Sequence, residues 1–241
     1  MKIERLILTN SKIFILTIGV MVVFISLALA YDLKEYYPLV QGNSWVYSVT
    51  EEGECFEKRV RIEGKERIGE IEAVRMLSGE NGYKCIAVDS EEIKLYKDFD
   101  GDENVYTIYN PPKLIFANIG IGEIKEYSTV WTGYSVGGEK KEEGEKIGQI
   151  KLESVENIEV PAGKFIDCLR FSLISEEKKL SRDSRNCTVW LARGVGLVKE
   201  FHIFTEYDAE TKEEETSIEL RELISAVVNG KKIGRQEAPT R

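Results

Sequence analysis

The sequence predicts a mainly β protein, built as one large curved antiparallel sheet or an incomplete β-barrel. Three observations predict it. Short β-branched and aromatic runs alternate with polar residues, glycine-containing turns separate these runs, and no segment after residue 31 shows the apolar spacing of a helix of normal length. Doubly wound folds and their nucleotide sites are excluded because βαβ units are missing. We expect a single antiparallel domain over residues 31–228, followed by a flexible polar tail over residues 229–241.

The predicted strands follow one another with short turns between them. Gly69 separates the second from the third, Asn81-Gly82 precedes the fourth, and the acidic turn 98–104 lies between the fifth and the sixth. Within 167–174 every second residue is apolar, as in a strand with one buried face. The predicted strands are 44–49, 59–68, 71–77, 83–88, 93–96, 105–109, 126–134, 147–160, 167–174, 187–192, 196–204 and 216–223.

Two local features precede and relate these strands. Residues 32–37 predict a turn or two of helix with Asp32 as its N-cap, ended by Pro38. A five-residue step from glycine to tyrosine occurs twice, from Gly42 to Tyr47 and from Gly122 to Tyr127. Two similar halves, 36–110 and 111–225, are one interpretation of this repeat, and a chance match is the other.

The first thirty residues have the pattern of a secretion signal. Three basic residues precede an uncharged apolar run, residues 13–30, which ends in Ala28-Leu29-Ala30. The run is long enough to remain as an N-terminal membrane anchor helix if it is not cleaved. Both alternatives predict an extracytoplasmic protein, either secreted or periplasmic, or anchored to the outer face of the cytoplasmic membrane.

The charge of the chain argues against nucleic acid as a partner. The net charge is −9, and it becomes about −11 without residues 1–30, which hold three basic residues and one acidic residue. Nucleic acids and anionic headgroups require clustered Lys and Arg. We expect membrane contact only through residues 13–30, if they are retained.

Four cysteines, Cys55, Cys85, Cys168 and Cys187, follow the signal. An even number in an oxidising compartment predicts two disulfides, with three possible pairings. We favour Cys55–Cys85 and Cys168–Cys187, because each pair would join neighbouring strands in one half of the chain. Free thiols are the alternative. A cysteine metal site is disfavoured because the chain has no C-x-x-C motif and only one histidine.

Three segments carry a resemblance to a known family. They are YPLVQGNSWVY at 37–47, VPAGKF at 160–165 followed by CLRF at 168–171, and WLARGVGLVK at 190–199. In order and spacing they resemble a widespread family of exported prokaryotic β proteins, with a fold akin to the lipoprotein carriers LolA and LolB. The resemblance implies an open half-barrel and an exported location. It implies no defined activity, although LolA-like carriers hold acyl chains.

Candidate binding residues come from the aromatic side chains of the predicted strands. A concave sheet face lined by aromatics could hold an apolar ligand or a segment of a partner. The tentative ligand-binding residues are Trp45, Tyr47, Tyr109, Phe116, Trp131 and Trp190.

Two further motifs are weak. Asp98, Asp100 and Asp102 resemble a calcium loop, but the glycine and the bidentate glutamate of an EF-hand are not at their places, so a solvated turn is favoured and no metal is predicted. Residues 133–137 match G-x-S-x-G, which serves as a nucleophile elbow only between a strand and a helix. His202, the only histidine that could act as a base, is expected on the outward face of a strand.

These observations predict an exported, non-enzymatic protein of the cell envelope with no catalytic residues and no cofactor. Its expected ligand is a lipid or another apolar molecule bound on the concave sheet. The alternatives are a structural or scaffold module that binds another envelope protein and, less favoured, a secreted hydrolase.

Overall fold

The computed structural model describes residues 31–89, 91–178, 183–207 and 211–235. The predicted signal or anchor helix, residues 1–30, lies outside the described residues. Within the described ranges, no helix is long and apolar enough to cross a membrane.

The described chain forms one short helix and thirteen antiparallel strands in a single sheet. The prediction of a mainly β protein is therefore confirmed, and the predicted strands correspond to segments of the observed ones. The elements are α1 (Leu33–Tyr36), β1 (Ser44–Glu51), β2 (Glu54–Ile68), β3 (Ile71–Ser78), β4 (Gly82–Val88), β5 (Glu92–Asp100), β6 (Val105–Ala117), β7 (Ile124–Ser135), β8 (Lys140–Val160), β9 (Gly163–Glu177), β10 (Ser184–Ala192), β11 (Gly196–Tyr207), β12 (Glu214–Val228) and β13 (Lys231–Gly234).

The sheet closes into a twelve-stranded barrel, so the expectation of an open or incomplete barrel is wrong. Each strand pairs with the next along the chain, and β1 also pairs with β12, from Ser44 opposite Val227 to Glu51 opposite Glu219. The opposite edge of β12 pairs first with β11 and then with β13. Closure leaves both edges of β1 and β12 hydrogen-bonded, which removes the unpaired edges of an open sheet.

One end of the barrel is filled by the segment that precedes β1. Asp32 caps α1 as predicted, because its carboxylate accepts a hydrogen bond from the Lys34 N–H at 3.0 Å. The Gly194 N–H donates to the Glu35 carbonyl at 2.7 Å, which fixes this segment to the β10–β11 turn. Around it lies a buried apolar cluster that includes Trp45, Val60, Val160, Cys168, Val195 and Leu223.

Part of the segment predicted as a flexible polar tail, residues 229–241, is a strand. Residues Lys231–Gly234 form β13, which pairs with β12 from Val228 opposite Lys231 to Ser225 opposite Gly234. Asn229 and Gly230 both have positive φ, as a tight turn between two strands requires. The chain beyond residue 235 lies outside the described residues.

The predicted disulfides are not formed, and all four cysteines are free thiols. Cys85 is level with Gly64 of β2, about nine residues or roughly 30 Å along the strand from Cys55. On β9 and β10, Cys187 lies opposite Leu173, five residues or about 16 Å from Cys168. Both separations exceed the reach of a disulfide. The predicted pairings were wrong because they were based on proximity in sequence. The register between neighbouring strands decides which cysteines lie close together.

The barrel wall is not continuous between β6 and β7. Their pairing runs from Val105 opposite Ser135 to Asn110 opposite Val130 and stops there. Beyond the cis Asn110–Pro111 peptide, β6 is bonded only to β5, and the first half of β7 only to β8. The Thr129 hydroxyl donates to the Pro111 carbonyl at the point where the strands separate.

Candidate functional site

A cavity of about 180 Å³ lies inside the barrel, between the apolar cluster at the closed end and a layer of charged side chains. The strand registers explain this division. Along β1, β2 and β12 the inward positions towards the closed end include Trp45, Val60 and Leu223, whereas those that follow include Lys58 and Arg221. One wall of the cavity is therefore aromatic and aliphatic, and the other is charged.

Three of the six predicted ligand-binding residues line this cavity: Trp45, Tyr47 and Phe116. The Trp45 Nε1–H donates to the Val195 carbonyl at 2.7 Å, and the Tyr47 hydroxyl donates to the Leu197 carbonyl at 3.1 Å. Their polar atoms are therefore satisfied, and their rings present an apolar surface.

Tyr109, Trp131 and Trp190 do not line the cavity. Tyr109 and Trp131 are paired across β6 and β7 on the inner face, and Trp131 packs over Gly144, where an added Cβ would lie 2.6 Å from its indole nitrogen. Trp190 lies on the outer face, where its Nε1–H donates to Glu156 at 2.7 Å. Aromatic character alone did not reveal on which face each ring lies.

Tyr37 brings the N-terminal segment into the cavity. Its ring lies 5.7 Å from that of Phe116, which in turn lies 5.2 Å from that of Phe171. Burial raises the pKa of the Tyr37 hydroxyl well above its usual range, and the charge of Glu200 adds to this effect. Tyr37 therefore contributes a neutral hydroxyl to the cavity wall.

The charged wall contains a cluster centred on Glu200, which no motif in the sequence indicated. Arg221 lies 2.8 Å from one Glu200 oxygen, and the other oxygen lies 2.7 Å from His202 Nε2. Burial alone would raise the pKa of Glu200, but the hydrogen bond from His202 and the positive charge of Arg221 outweigh it and hold that pKa well below its usual value. Glu200 is therefore a buried carboxylate with a partner at each oxygen.

His202 lies inside the barrel and is 1 % exposed, so the prediction of an outward histidine is wrong. Its register places it opposite Cys187 of β10 and Glu219 of β12, both inward positions. Its neighbours Phe201 and Ile203 face outward and are only half-buried. A strand is usually oriented by assuming that its apolar residues face the interior and its polar residues face solvent. At this part of β11 the arrangement is the reverse.

The hydrogen bonds around His202 assign its tautomer. The Arg185 guanidinium donates to Nδ1 at 2.8 and 3.0 Å, so Nδ1 accepts and the proton of the neutral ring is on Nε2, where it is donated to Glu200. Cys187 Sγ lies 3.6 Å from Nε2 and 3.6 Å from the same Glu200 oxygen. Burial and the charge of Glu200 raise the pKa of the Cys187 thiol well above its usual value.

This arrangement does not form a cysteine–histidine relay. In such a relay the base contacts the nucleophile with one nitrogen and the orienting acid with the other. Here both Cys187 and Glu200 lie at Nε2, and Arg185 occupies Nδ1. A thiol with a raised pKa is also the weaker nucleophile at neutral pH.

Cys187, Glu200 and His202 are the one set of potential metal ligands that converges among the described residues. A thiol, an imidazole and a carboxylate are ligand types that zinc accepts. A metal at Nε2 would, however, move the ring proton to Nδ1, which already faces the Arg185 donors. The Cys187 thiol is also already placed to donate a hydrogen bond to the Glu200 carboxylate. The residues present therefore fit a hydrogen-bonded cluster better than a metal centre.

Asp98, Asp100 and Asp102 do not converge in this way. The Asp100 carboxylate accepts hydrogen bonds from the Asp102 and Glu103 N–H groups at 2.9 and 3.2 Å, and Asp102 accepts one from Asn81 at 3.0 Å. These carboxylates stabilise the β5–β6 turn. Likewise, Gly133-Tyr134-Ser135 ends β7 and leads into the turn before β8, so a strand-to-helix elbow is not formed there.

Three cations of the cavity wall have no carboxylate within ion-pair distance among the described residues. They are Lys84 of β4, Lys113 of β6 and Arg185 of β10. The pKa of Lys113 is lowered to about 7, mainly by burial and also by the positive charges of Lys146, Arg185 and Lys84, while Asp98 acts in the opposite direction. The overall composition is acidic, so it gave no indication of this excess of positive charge inside the barrel.

Comparisons with known proteins add a distant structural likeness. No family model matches the sequence, and no curated protein matches it. A candidate lipoprotein from Parabacteroides distasonis ATCC 8503 is 18% identical, with a TM-score of 0.42 over 78% of this chain and 97% of that chain. A candidate exported protein with a YmcC-like fold from Bacteroides fragilis NCTC 9343 is 13% identical, with a TM-score of 0.46 over 78% and 98%. The likeness is too distant to support an argument, and the LolA/LolB resemblance stays a prediction.

Proposed function

We propose that this chain is an exported, non-enzymatic protein of the cell envelope that binds one small molecule inside its barrel. The observation that carries the proposal is the internal cavity of about 180 Å³, with an aromatic wall facing a charged one. Sites that bind small molecules combine apolar surface with a few placed polar groups in this way. The exported location is supported by the signal pattern of residues 1–30.

The cavity volume sets a scale for the ligand. An apolar cavity of about 150 Å³ is known to bind benzene. The cavity of about 180 Å³ therefore admits a molecule with at least one aromatic ring.

A binding role is favoured over catalysis by the state of the polar groups. Both Glu200 oxygens are engaged, His202 uses both ring nitrogens, and the Cys187 thiol remains protonated. A general base needs a free lone pair within reach of the substrate proton. The cluster is thus arranged to support the cavity wall rather than to transfer protons.

Native mass spectrometry of the protein purified from the envelope of its own host tests this proposal. We expect a non-covalent adduct of low mass that is lost under denaturing conditions. Val189→Phe projects a ring into the cavity and should abolish the adduct, whereas Thr188→Phe, at the next position on the outer face of β10, should retain it. Circular dichroism checks that both variants fold.

A bare mass in repeated preparations would contradict small-molecule binding. Capture of another envelope protein by such a bare chain would then favour the scaffold role. An adduct retained equally by Val189→Phe and Thr188→Phe would place the ligand outside the cavity and would also contradict the proposal.

A further inference from the structure

The unpaired cations of the cavity wall indicate the charge of the ligand. Two other cations near them have partners: Arg221 lies 2.8 Å from Glu200 and 2.7 Å from Glu219, and Lys146 lies 2.9 Å from Glu177. Lys84, Lys113 and Arg185 lack such partners among the described residues, although all three face the same cavity. Within the part of the chain that the structure describes, the side-chain hydrogen bonds of Arg185 all go to the ring of His202, and its guanidinium lies over the face of Phe204, 4.7 Å from its centroid.

The carboxylates of the cavity region do not neutralise these cations. Both oxygens of Glu200 are engaged by His202 and Arg221, and Glu219 accepts from Arg221 as well. Asp98 is opposite Lys84 in the β4–β5 register but forms no ion pair with it. Buried charges of one sign are costly without a counter-charge, because the interior screens them less than water does.

The rest of the wall defines the remainder of the ligand. The cavity is also lined by Trp45, Phe116, Leu95 and Leu114, whose side chains offer only apolar surface apart from the Trp45 N–H, which is already bonded to Val195. A ligand that fills the cavity therefore meets both charged groups and hydrocarbon surface. The volume accommodates an apolar part of about the size of one aromatic ring or a short chain.

We propose that the ligand is a small organic anion, whose charged group lies among Lys84, Lys113 and Arg185 and whose apolar body lies against Trp45 and Phe116. This inference rests on the proposed function and specifies the chemical class of its ligand. A carboxylate or a phosphate monoester would supply the same interaction, because both accept several charged hydrogen bonds from ammonium and guanidinium groups. The bound anion provides the counter-charge that the protein itself leaves out.

Three probes of nearly the same shape test the sign of the charge. Benzoate, benzyl alcohol and benzylamine each carry one ring and differ mainly in their polar group, which is anionic, neutral or cationic. Isothermal titration calorimetry on protein unfolded and refolded without ligand should give a dissociation constant for benzoate at least about tenfold lower than for benzyl alcohol. Benzylamine should not bind measurably.

A lysine variant tests the position. Lys113→Met keeps the length of the side chain and removes its charge, so benzoate binding should weaken by about tenfold or more, while benzyl alcohol binding should not change. Lys164→Met is the matched control, because Lys164 on β9 is exposed outside the barrel, and it should alter neither. If Lys113→Met does not fold, Lys84→Met provides the same comparison.

The outcomes separate the two proposals. Equal or tighter binding of benzyl alcohol would overturn the anion inference and leave small-molecule binding in place. Failure of all three probes would also overturn it, and the native mass spectrum would then decide the proposed function by the presence or absence of an adduct. Phosphate alone binding as tightly as benzoate would overturn the role given to the apolar wall.

Discussion

Lys113 places an ammonium group inside the barrel, where the neighbouring charges are Lys84 on β4, Lys146 on β8, Arg185 on β10 and Asp98 on β5. Its pKa is lowered to about 7, mainly by burial. Below that pH the side chain is charged in both the folded and the unfolded chain, so the electrostatic cost of burial is fully present. Between pH 7 and the usual lysine range, the unfolded chain binds one more proton than the folded one, so this cost falls as the pH rises.

We therefore expect Lys113→Met to be more stable than the native sequence near neutral pH in ligand-free protein. The difference should shrink as the pH rises from about 7 to about 10. Urea denaturation across that range measures it, with Lys164→Met as a control whose difference should not depend on pH in this window. A constant advantage of Lys113→Met at all pH values would contradict a buried charge at this position.

The site residues show what sequence reasoning could find and what it could not. Trp45, Tyr47 and Phe116 line the cavity, as expected because large aromatic residues in strands usually face an interior, and their binding of a ligand stays a prediction. Lys113, Arg185 and the Glu200 cluster were missed because a charged residue at a strand position is ordinarily assigned to solvent. The register of the paired strands shows that these charged residues face inward, and this register cannot be read from a single sequence.

At the scale of the strands, two inward glycines of β8 make room for large rings of β7. Tyr127 is opposite Gly148, and Trp131 is opposite Gly144. An ideal Cβ on Gly148 would lie 2.6 Å from the Tyr127 ring. The ring thus covers the backbone of its partner strand, an arrangement known to compensate for glycine in a sheet.

Gly148→Val is expected to destabilise the protein by about 1–3 kcal/mol, because the ring of Tyr127 must leave its place. Gly64→Val is the matched control, since a Cβ at Gly64 of β2 would meet no atom within 4 Å. That control should be neutral or slightly stabilising, as expected for a β-branched residue in a strand. Thermal unfolding followed by circular dichroism compares them, and equal losses would contradict the packing of Tyr127 described here.

Strand assignment succeeded where the local signals were strong. The Asp32 cap, the Asn81-Gly82 turn and the alternation within 167–174 each depend on neighbouring residues, which a sequence shows directly. The lengths of the strands were harder to predict from the sequence. β8 extends over Lys140–Val160, although its first residues have the charged, glycine-rich composition of a loop, because pairing with β7 supplies hydrogen bonds that local propensity does not foresee.

At the scale of the whole molecule, Asn43 joins the segment before β1 to the turn that follows β12. Its side-chain N–H donates to the Pro38 carbonyl at 2.9 Å, and its carbonyl oxygen accepts from the Asn229 N–H at 2.8 Å. The side chain is buried, with 2 % exposure. Both bonds lie beside the β1–β12 pairing that closes the barrel.

Asn43→Ala should destabilise the protein by about 1–3 kcal/mol, since it removes a buried hydrogen bond to the Pro38 carbonyl and a half-buried one from the Asn229 N–H. Asn81→Ala, which removes one exposed bond to Asp102, should change stability by less than about 0.5 kcal/mol. Urea unfolding midpoints provide the comparison. A small effect of Asn43→Ala would show that the backbone pairing of β1 with β12 is sufficient to close the barrel without this side chain.

Pairing of β1 with β12 also has a consequence for how the molecule is made. Hairpins of neighbouring strands can form as the chain emerges from its N-terminus, because each strand pairs with the next. The first strand, in contrast, must wait with one bare edge until residues 219–227 appear. During synthesis or export this edge is open to other chains. A chaperone that shields it during that interval would prevent aggregation, and the cavity itself exists only once the last long strand has arrived.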